Sequence, residues 1–327
     1  MGYGVVRSVS NLEAALAKAL ASGKDSDVVA GPKEEPDVSV VMRIYNSSEH
    51  VAEAIDSIVD QEYGGTIELV VVYSRATSDG SLKAMLPGME RLLRRGGSVS
   101  VLVRGHNGTF RAYQDGLAAA KGRYVAALDS DNFYYPGKLL RQISFMEKSG
   151  ASFSFTAYQA VDQNGKPIRN VLPPAPRDYR KFSQLVSKYY VDINTVVLDR
   201  RFRKLMLRAF RCISGSAYDR CFEDYLMGMV ASLRGELEYV GERLNAYRIW
   251  EGNFTMLKSA TVKLKFDAAV KLAPYVQGTF AALLRINSEM RLTNKKILFG
   301  TGLTLSGDPL FISFRRVGRL RSSHGAK

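Results

Sequence analysis

The 327-residue sequence predicts an α/β protein, a doubly wound and mainly parallel sheet with helices on both faces. Three observations predict it. Short apolar runs that read as buried strands alternate with stretches whose apolar residues recur at helical spacing, the rhythm of parallel strands joined by crossover helices. The rhythm persists through four strands before it changes. The fourth strand ends in Asp129-Ser130-Asp131, and ligands of open α/β sheets gather at the carboxyl ends of strands.

Each element has its own reason. Ser10-Asn11-Leu12-Glu13 has the form of a capping box opening a helix over residues 12–21. Residues 23–36 are rich in Gly, Pro, Lys, Glu and Asp and read as a linker. Val38-Ser39-Val40-Val41-Met42 is a strand, and residues 48–60 set Val51, Ala54, Ile55, Ile58 and Val59 at helical spacing. Glu68-Leu69-Val70-Val71-Val72-Tyr73 is the second strand. A helix over 82–95 is expected to be interrupted at Pro87, which has no amide hydrogen. Residues 99–103 are the third strand, 110–120 a helix ended by Lys121-Gly122, and 124–128 the fourth strand. Beyond it come a helix over 138–148, a strand over 152–161, and Asp162-Gln163-Asn164-Gly165, a hairpin turn signal. A strand over 191–198, an apolar helix over 222–233 and short strands at 238–240 and 246–249 follow. From about residue 261 the pattern is mostly helical and basic.

The bulk numbers bound function. A hydrophobic share of 46% suits a core-forming protein. No uninterrupted apolar run reaches ~18 residues, so no spanning helix is expected. The N-terminus lacks a signal-peptide apolar block, and Glu13 argues against a mitochondrial transit peptide. Cys212 and Cys221 show neither metal-ligand nor disulfide spacing, which fits a cytoplasmic location. His50, His106 and His324 have no zinc-ligand spacing.

Charge is uneven. Residues 258–327 hold 13 lysines and arginines against 3 acidic residues, net +10 of the chain's +14. A near-neutral body with a basic tail suggests an anionic partner for the tail, or a merely solvated extension. Phe299, Leu303, Leu305, Leu310, Phe311, Ile312 and Phe314 precede Arg315, Arg316, Arg319 and Arg321. That order suits peripheral attachment to the cytoplasmic face of an anionic membrane; packing of the tail on the domain or homodimer formation through it fits as well. No base-stacking or groove-reading module is present, so no nucleic-acid partner is expected.

The acidic string carries the chemistry. In an extended segment Asp129 and Asp131 point the same way. Such neighbours repel unless a cation sits between them. Carboxylate oxygens favour Mg²⁺ or Mn²⁺, which keep positions open for phosphate oxygens. A metal holding a diphosphate is the reading this suggests; an ordinary turn or helix cap is the other.

Val38-Ser39-Val40-Val41, Tyr45-Asn46, Asp129-Ser130-Asp131, Glu223-Asp224-Tyr225 and Tyr247-Arg248, taken together and in this order, resemble the motifs of family 2 glycosyltransferases, which have the GT-A fold. Residues 36–46, with Val38-Ser39-Val40-Val41 and Tyr45-Asn46, resemble the family's V-S-V-V-I-P-T-Y-N, and Ser57-Ile58-Val59-Asp60-Gln61 its S-x-x-x-Q. Residues 107–124 match N-G…G-L-x-x-A-x-G-x-Y, Asp129-Ser130-Asp131 the D-x-D, and Pro136-Gly137-Lys138-Leu139 the P-x-K-L. Glu223-Asp224-Tyr225 resembles E-D-Y and Tyr247-Arg248 the Y-R. The match covers residues 36–255 in the family's order and spacing.

The resemblance implies a metal-dependent, inverting transfer of sugar from a UDP- or GDP-sugar to a hydroxyl of a glycan, polysaccharide or lipid-linked acceptor. It implies three segments: an N-terminal helix and linker (1–35), a GT-A domain (36–257) with nucleotide-binding (36–132) and acceptor (133–257) halves, and a basic extension (258–327). It implies Mn²⁺ or Mg²⁺ on Asp131, with Asp129 near the ribose or assisting the metal, and Asp224 as general base beside an orienting or alternative Glu223. A helix cap is the other role for Asp224. Donor contacts are expected from Arg43, Tyr45, Asn46, Tyr73, Arg111, Asp129, Ser130 and Trp250.

Two departures stand out. The family's carboxylate pair after its second strand, one member of which bonds the nucleotide base, is replaced by Tyr73-Ser74-Arg75, and no carboxylate comes before Asp79. Arg43 stands where Pro is common. Tyr73 is read as stacking on a base or capping a sheet edge, and Arg43 or Arg75 as reaching phosphate or base. Trp250 replaces a common His, and Glu251-Gly252-Asn253 beside it suggests a lid. A nucleotidyltransferase, the nearest alternative, carries a Gly-rich basic loop after its first strand, which Tyr45-Asn46-Ser47-Ser48 does not supply.

Overall fold

The structure, a computed structural model, describes residues 4–6, 9–106, 108–168, 191–213, 223–234 and 236–250. Expectations for Asn107, Cys221, Glu251-Gly252-Asn253, His324 and the extension 258–327 lie outside the described residues. In chain order the elements are β1 Gly4–Val6, α1 Val9–Ala21, β2 Ser26–Ala30, β3 Val38–Ile44, α2 Val51–Val59 and β4 Ile67–Ser74. Next come α3 Ser81–Arg94, β5 Ser98–Arg104, α4 Thr109–Ala119, β6 Tyr124–Ala127, β7 Phe133–Tyr134, α5 Lys138–Ser149 and β8 Phe153–Val161. A 3₁₀ turn Ile193–Thr195, β9 Val197–Asp199, α6 Arg200–Ile213, α7 Glu223–Arg234 and β10 Leu237–Arg248 complete them.

The strands form one mixed, mostly parallel sheet in the order β1-β2-β5-β4-β3-β6-β9-β8-β10-β7. The expected α/β architecture is present, and the alternation of side chains explains its two covered faces. Val40, Met42, Leu69 and Val71 pack with α1, α2, α3 and α5, while their neighbours Val41 and Val70 pack with α4, α6 and α7. Parallel pairing of β3 with both β4 and β6 sets three carboxyl ends side by side, and the site is built there.

The structure corrects several boundaries. Residues 23–36 are more than a linker: β2 runs antiparallel to β5, from Ser26↔Val103 to Ala30↔Val99, and joins the sheet. α1 begins at Val9, so the expected capping box falls inside its first turn. α3 passes through Pro87 without a break, because Pro87 and Lys83 both lie on the exposed side. The Lys83 carbonyl that loses its partner there can reach water.

Residues 191–198 are not one strand. Asp192 Oδ1 accepts the Asn194 N–H at 2.9 Å, which turns the chain into the 3₁₀ segment before β9. The two short strands expected near 238 and 246 are one strand, β10, with register shifts around Arg243 against β8. α6 was not expected. Its charged face hides a buried stripe of Phe202, Met206, Ala209 and Phe210. Among the described residues no helix is long and apolar enough to cross a membrane.

Candidate active site

Asp129, Ser130 and Asp131 follow β6 as a turn, with the Asn132 N–H donating to the Asp129 carbonyl at 3.1 Å. Beside it on β3, Arg43 donates to Asp129 Oδ1 through Nε at 3.0 Å and again through Nη2. Its Nη1 donates to Glu223 Oε1 in the first turn of α7, and to the Thr109 carbonyl at 3.2 Å. Burial opposes charge on Arg43, but Asp129 and Glu223, with Asp224 behind them, outweigh it and hold it protonated. Burial raises the Glu223 pKa, and Arg43 restrains that rise. The cation that neighbouring carboxylates require is therefore, for Asp129, an arginine of the chain itself.

Asp131 is held differently. Trp250 Nε1 donates to its Oδ2 at 3.2 Å and Asn132 Nδ2 to its Oδ1 at 3.0 Å. Burial, then repulsion from Asp129, pushes its carboxyl up to about 6. Arg248, 1% exposed at the end of β10, braces the turn from below. Its N–H donates to Asn132 Oδ1 at 2.7 Å and its Nε to the Asp131 carbonyl at 2.8 Å. Nη1 reaches the Gln163 carbonyl at 2.6 Å, and Nη2 donates to Glu53 of α2. Trp250 meets the His50 ring edge-on at 5.0 Å.

A third support comes from the 3₁₀ segment. The Asp129 N–H donates to Asn194 Oδ1 at 2.6 Å, and Asn194 Nδ2 donates to Asp192 Oδ1 at 2.8 Å. Burial, and behind it the charges of Asp129 and Asp131, raises Asp192 to about 6 against those Asn194 bonds. On the β3 side, Ser130 Oγ donates to Ser47 Oγ at 2.7 Å. Asn46 takes a left-handed φ of 47° and accepts the Ser78 N–H at 2.9 Å. Asp79 clamps this loop by accepting the Ser48 N–H at 2.9 Å and the Ser81 N–H at 3.0 Å. Burial opposes the charge of Asp79, yet these bonds and the Ser81 hydroxyl bring it down to about 2.

Residues 39–206 match the model of glycosyl transferase family 2. The chain belongs to that family. A putative teichuronic acid biosynthesis glycosyltransferase of Bacillus subtilis, TuaG, is 30% identical over 166 residues, 51% of this chain and 63% of the relative. The Escherichia coli UDP-Glc:alpha-D-GlcNAc-diphosphoundecaprenol beta-1,3-glucosyltransferase WfgD is 29% identical over 164 residues, 50% of this chain and 60% of the relative. Across the first matches, this family 2 chain spans between 18% and 65% of the relatives' length. Among solved structures, S. aureus TarS 1–349 in complex with UDP-GlcNAc superposes with a TM-score of 0.54 at 18% identity, covering 85% of this chain and 79% of TarS. The mannosyltransferase PcManGT of Pyrobaculum calidifontis, in complex with GDP-Man and Mn²⁺, gives 0.52 at 16% identity over 98% of this chain and 88% of PcManGT. These likenesses establish the GT-A fold.

The motif residues Asp129, Ser130, Asp131, Glu223 and Asp224 therefore gather with Arg43 and Trp250, which depart from the family pattern, around the turn after β6. Tyr45 stands exposed at the end of β3, and Arg111 lies exposed in the first turn of α4. Tyr73 departs from both of its expected roles. It is 4% exposed in the core, and β4 lies between β3 and β5, so it neither caps an edge nor offers a face for stacking. Asp224 lies within α7, which begins at Glu223, so it is not the residue preceding the helix. Sequence reasoning missed Asp192, Asn194 and the bracing role of Arg248. Only the Tyr247-Arg248 pair carried a signal.

Among the described residues no three His, Cys, Asp or Glu side chains cluster as a ready metal cage. The donors still suit Mg²⁺ or Mn²⁺, which bind through one or two carboxylates and take the rest of their shell from phosphate and water. Asp131, a half-buried carboxyl held above the usual range, fits that role. Asp129 was expected to share it, but Arg43 already occupies its Oδ1.

Proposed function

We propose that this chain is a metal-dependent, inverting glycosyltransferase that moves a sugar from a nucleoside-diphosphate donor to an acceptor hydroxyl. The observation that carries the reading is the Arg43 link between the acidic turn after β6 and the acidic first turn of α7. It supports a diphosphate-binding end and a proton-accepting end within one site.

Asp131 would hold a Mn²⁺ or Mg²⁺ ion, and when bound that ion supplies positive charge to the leaving diphosphate. The chain's own residues do the rest. Ser130, Ser47 and Asn46 shape the loop over the donor, with Tyr45 exposed beside it. Asp129, fixed by Asn194 and Arg43, stands toward the ribose. Asp224 takes the proton of the acceptor hydroxyl. The new oxygen–carbon bond forms at the anomeric carbon as the bond to the diphosphate oxygen breaks on the opposite side, which inverts configuration. Glu223, tied to Arg43, orients that machinery.

The relatives named for teichuronic acid biosynthesis and for a diphosphoundecaprenol acceptor favour a polysaccharide or lipid-linked acceptor. The basic extension would then face an anionic lipid surface. Liposome flotation of a chain lacking residues 299–327 tests that part, and unchanged binding removes it.

The central test is release of nucleoside diphosphate from a panel of UDP- and GDP-sugars with Mn²⁺. Asp131→Asn should abolish metal-dependent donor binding. Asp224→Asn should keep donor binding and lower turnover about 10²- to 10⁴-fold, the usual worth of a general base. A wild-type chain inert toward every donor, or Asp224→Asn at full turnover, refutes the reading.

A further inference from the structure

The loop after β4 has Ser74-Arg75 where the resemblance leads one to expect carboxylates, and the structure brings a carboxylate to the same place from elsewhere. Asp25 lies just before β2, in the stretch that reads as a linker. Because β2 runs antiparallel to β5, its first residues sit at the carboxyl ends of β5 and β4. There Arg75 Nη1 donates to Asp25 Oδ1 at 2.8 Å, and the Gly105 N–H donates to the same oxygen at 3.0 Å.

Both bonds fall on Oδ1. The Asp25 side chain is 57% exposed, and its Oδ2 keeps its acceptor capacity. The guanidinium passes close over Gly105: a Cβ there would come within 2.2 Å of Arg75 Nη2. A side chain at 105 would make the arginine tip shift. By contrast Arg104, next along the chain, is consumed, with Asp27 at 2.7 Å on Nη1 and Asp115 at 3.1 Å on Nε. Asp25 thus offers an exposed acceptor beside a guanidinium that is 25% exposed. Strands lie about 4.8 Å apart, and β6, β3, β4 and β5 are consecutive neighbours. The pair therefore sits two to three strand spacings, roughly 10–14 Å, from the acidic turn. That is the reach of a nucleoside diphosphate laid across the carboxyl ends with its phosphates at Asp131.

We propose that Asp25 and Arg75 together read the nucleobase of the donor, Asp25 accepting a base N–H and Arg75 donating to the adjacent ring nitrogen or carbonyl. The N-terminal strand then completes the nucleotide site, and base choice is set by a residue outside the segment that matches the family model. This inference rests on the transferase reading.

Calorimetry on the full chain with Mn²⁺ separates the two. Its ligands are UDP, GDP and inorganic pyrophosphate, and its variants are Asp25→Asn, Asp25→Ala and Arg75→Ala. Asp25→Asn keeps the shape and one oxygen, so it controls for loss of fold. The expected result is at least about tenfold weaker binding of the preferred nucleoside diphosphate in Asp25→Ala and Arg75→Ala, the worth of one hydrogen bond to a charged group. The preference between UDP and GDP should narrow, and pyrophosphate affinity should stay unchanged. Equal losses for pyrophosphate and nucleotides would reduce the pair to a structural tether and overturn the inference. So would unchanged nucleotide affinity and base preference. A wild-type chain that binds neither nucleotide overturns the transferase reading, and this inference with it.

Discussion

Arg43 and Glu223 stand 180 positions apart in the chain, yet the Arg43 guanidinium donates directly to Glu223 Oε1 while its other edge holds Asp129. One side chain thus fixes the distance between the turn that would bind the donor and the helix that carries Asp224.

Removing that cation should be costly. Arg43→Met leaves the buried Glu223 and the half-buried Asp129 near each other without their shared cation, and a broken buried pair costs about 3–5 kcal/mol. Urea denaturation should show a loss of that order. The double variant Arg43→Met, Glu223→Gln should recover part of it, because one of the stranded charges is gone. Equal stability of the two variants would mean that the Arg43–Glu223 contact carries no coupling.

Trp250 gives a built-in reporter. It is the chain's single tryptophan, and its Nε1 donates to Asp131 Oδ2 at 3.2 Å. An ion arriving at Asp131 must disturb that bond. Adding Mn²⁺ with a nucleoside diphosphate should change tryptophan emission saturably, and Asp131→Asn should flatten the titration. An identical titration in the variant would place the ion elsewhere.

Much of this was legible in the sequence, and the reasons differ by part. The buried strands Val38–Ile44 and Ile67–Ser74 were visible because strands covered on both faces read as near-continuous apolar runs. Asp129, Asp131, Glu223 and Asp224 stood out as candidates because acidic pairs after a strand and at a helix start suggest such chemistry. Two things were hidden. α6 was obscured by its density of arginine, since the buried stripe Phe202–Met206–Ala209–Phe210 occupies a minority of its positions. The Asp25–Arg75 pair and the Asn194 support depend on which strands become neighbours, and local pattern does not encode that. Tyr73 failed as a stacking residue for the same reason: an aromatic at a strand end reads alike whether the strand is central or at an edge.

The sheet also fixes how closely α4 can approach. A Cβ at Gly116 would meet Val41 Cγ1 at 2.3 Å and Val72 Cγ2 at 3.2 Å. Gly116→Ala should push α4 off β3 and β4 and cost about 1–3 kcal/mol, as overpacking does. Gly64, where a Cβ meets nothing within 4 Å, is the control: Gly64→Ala should leave the melting temperature nearly unchanged. Equal melting temperatures for both variants would show that α4 is not held at this distance.

Lys138 makes a prediction about pH. It opens α5 at 0% exposure, donates to Gln142 Oε1 at 2.7 Å, and lies 4.5 Å from the Tyr134 ring centre. Burial lowers its pKa from 10.5 to about 7. Between those values the unfolded chain holds a proton there that the folded chain has released. The unfolded state therefore binds more protons, and this group makes stability rise with pH across that window. The slope from one such group is bounded by about 1.4 kcal/mol per pH unit. Folding free energies measured from pH 7 to 10 should climb more steeply in the wild type than in Lys138→Met, which keeps the apolar stem and loses the titration. The partner of this lysine also matters for the site, because Gln142 Nε2 donates to the Thr195 carbonyl at 2.9 Å, in the same 3₁₀ turn as Asn194. Two parallel profiles would mean that Lys138 stays charged when buried, held by Gln142 and the Tyr134 ring.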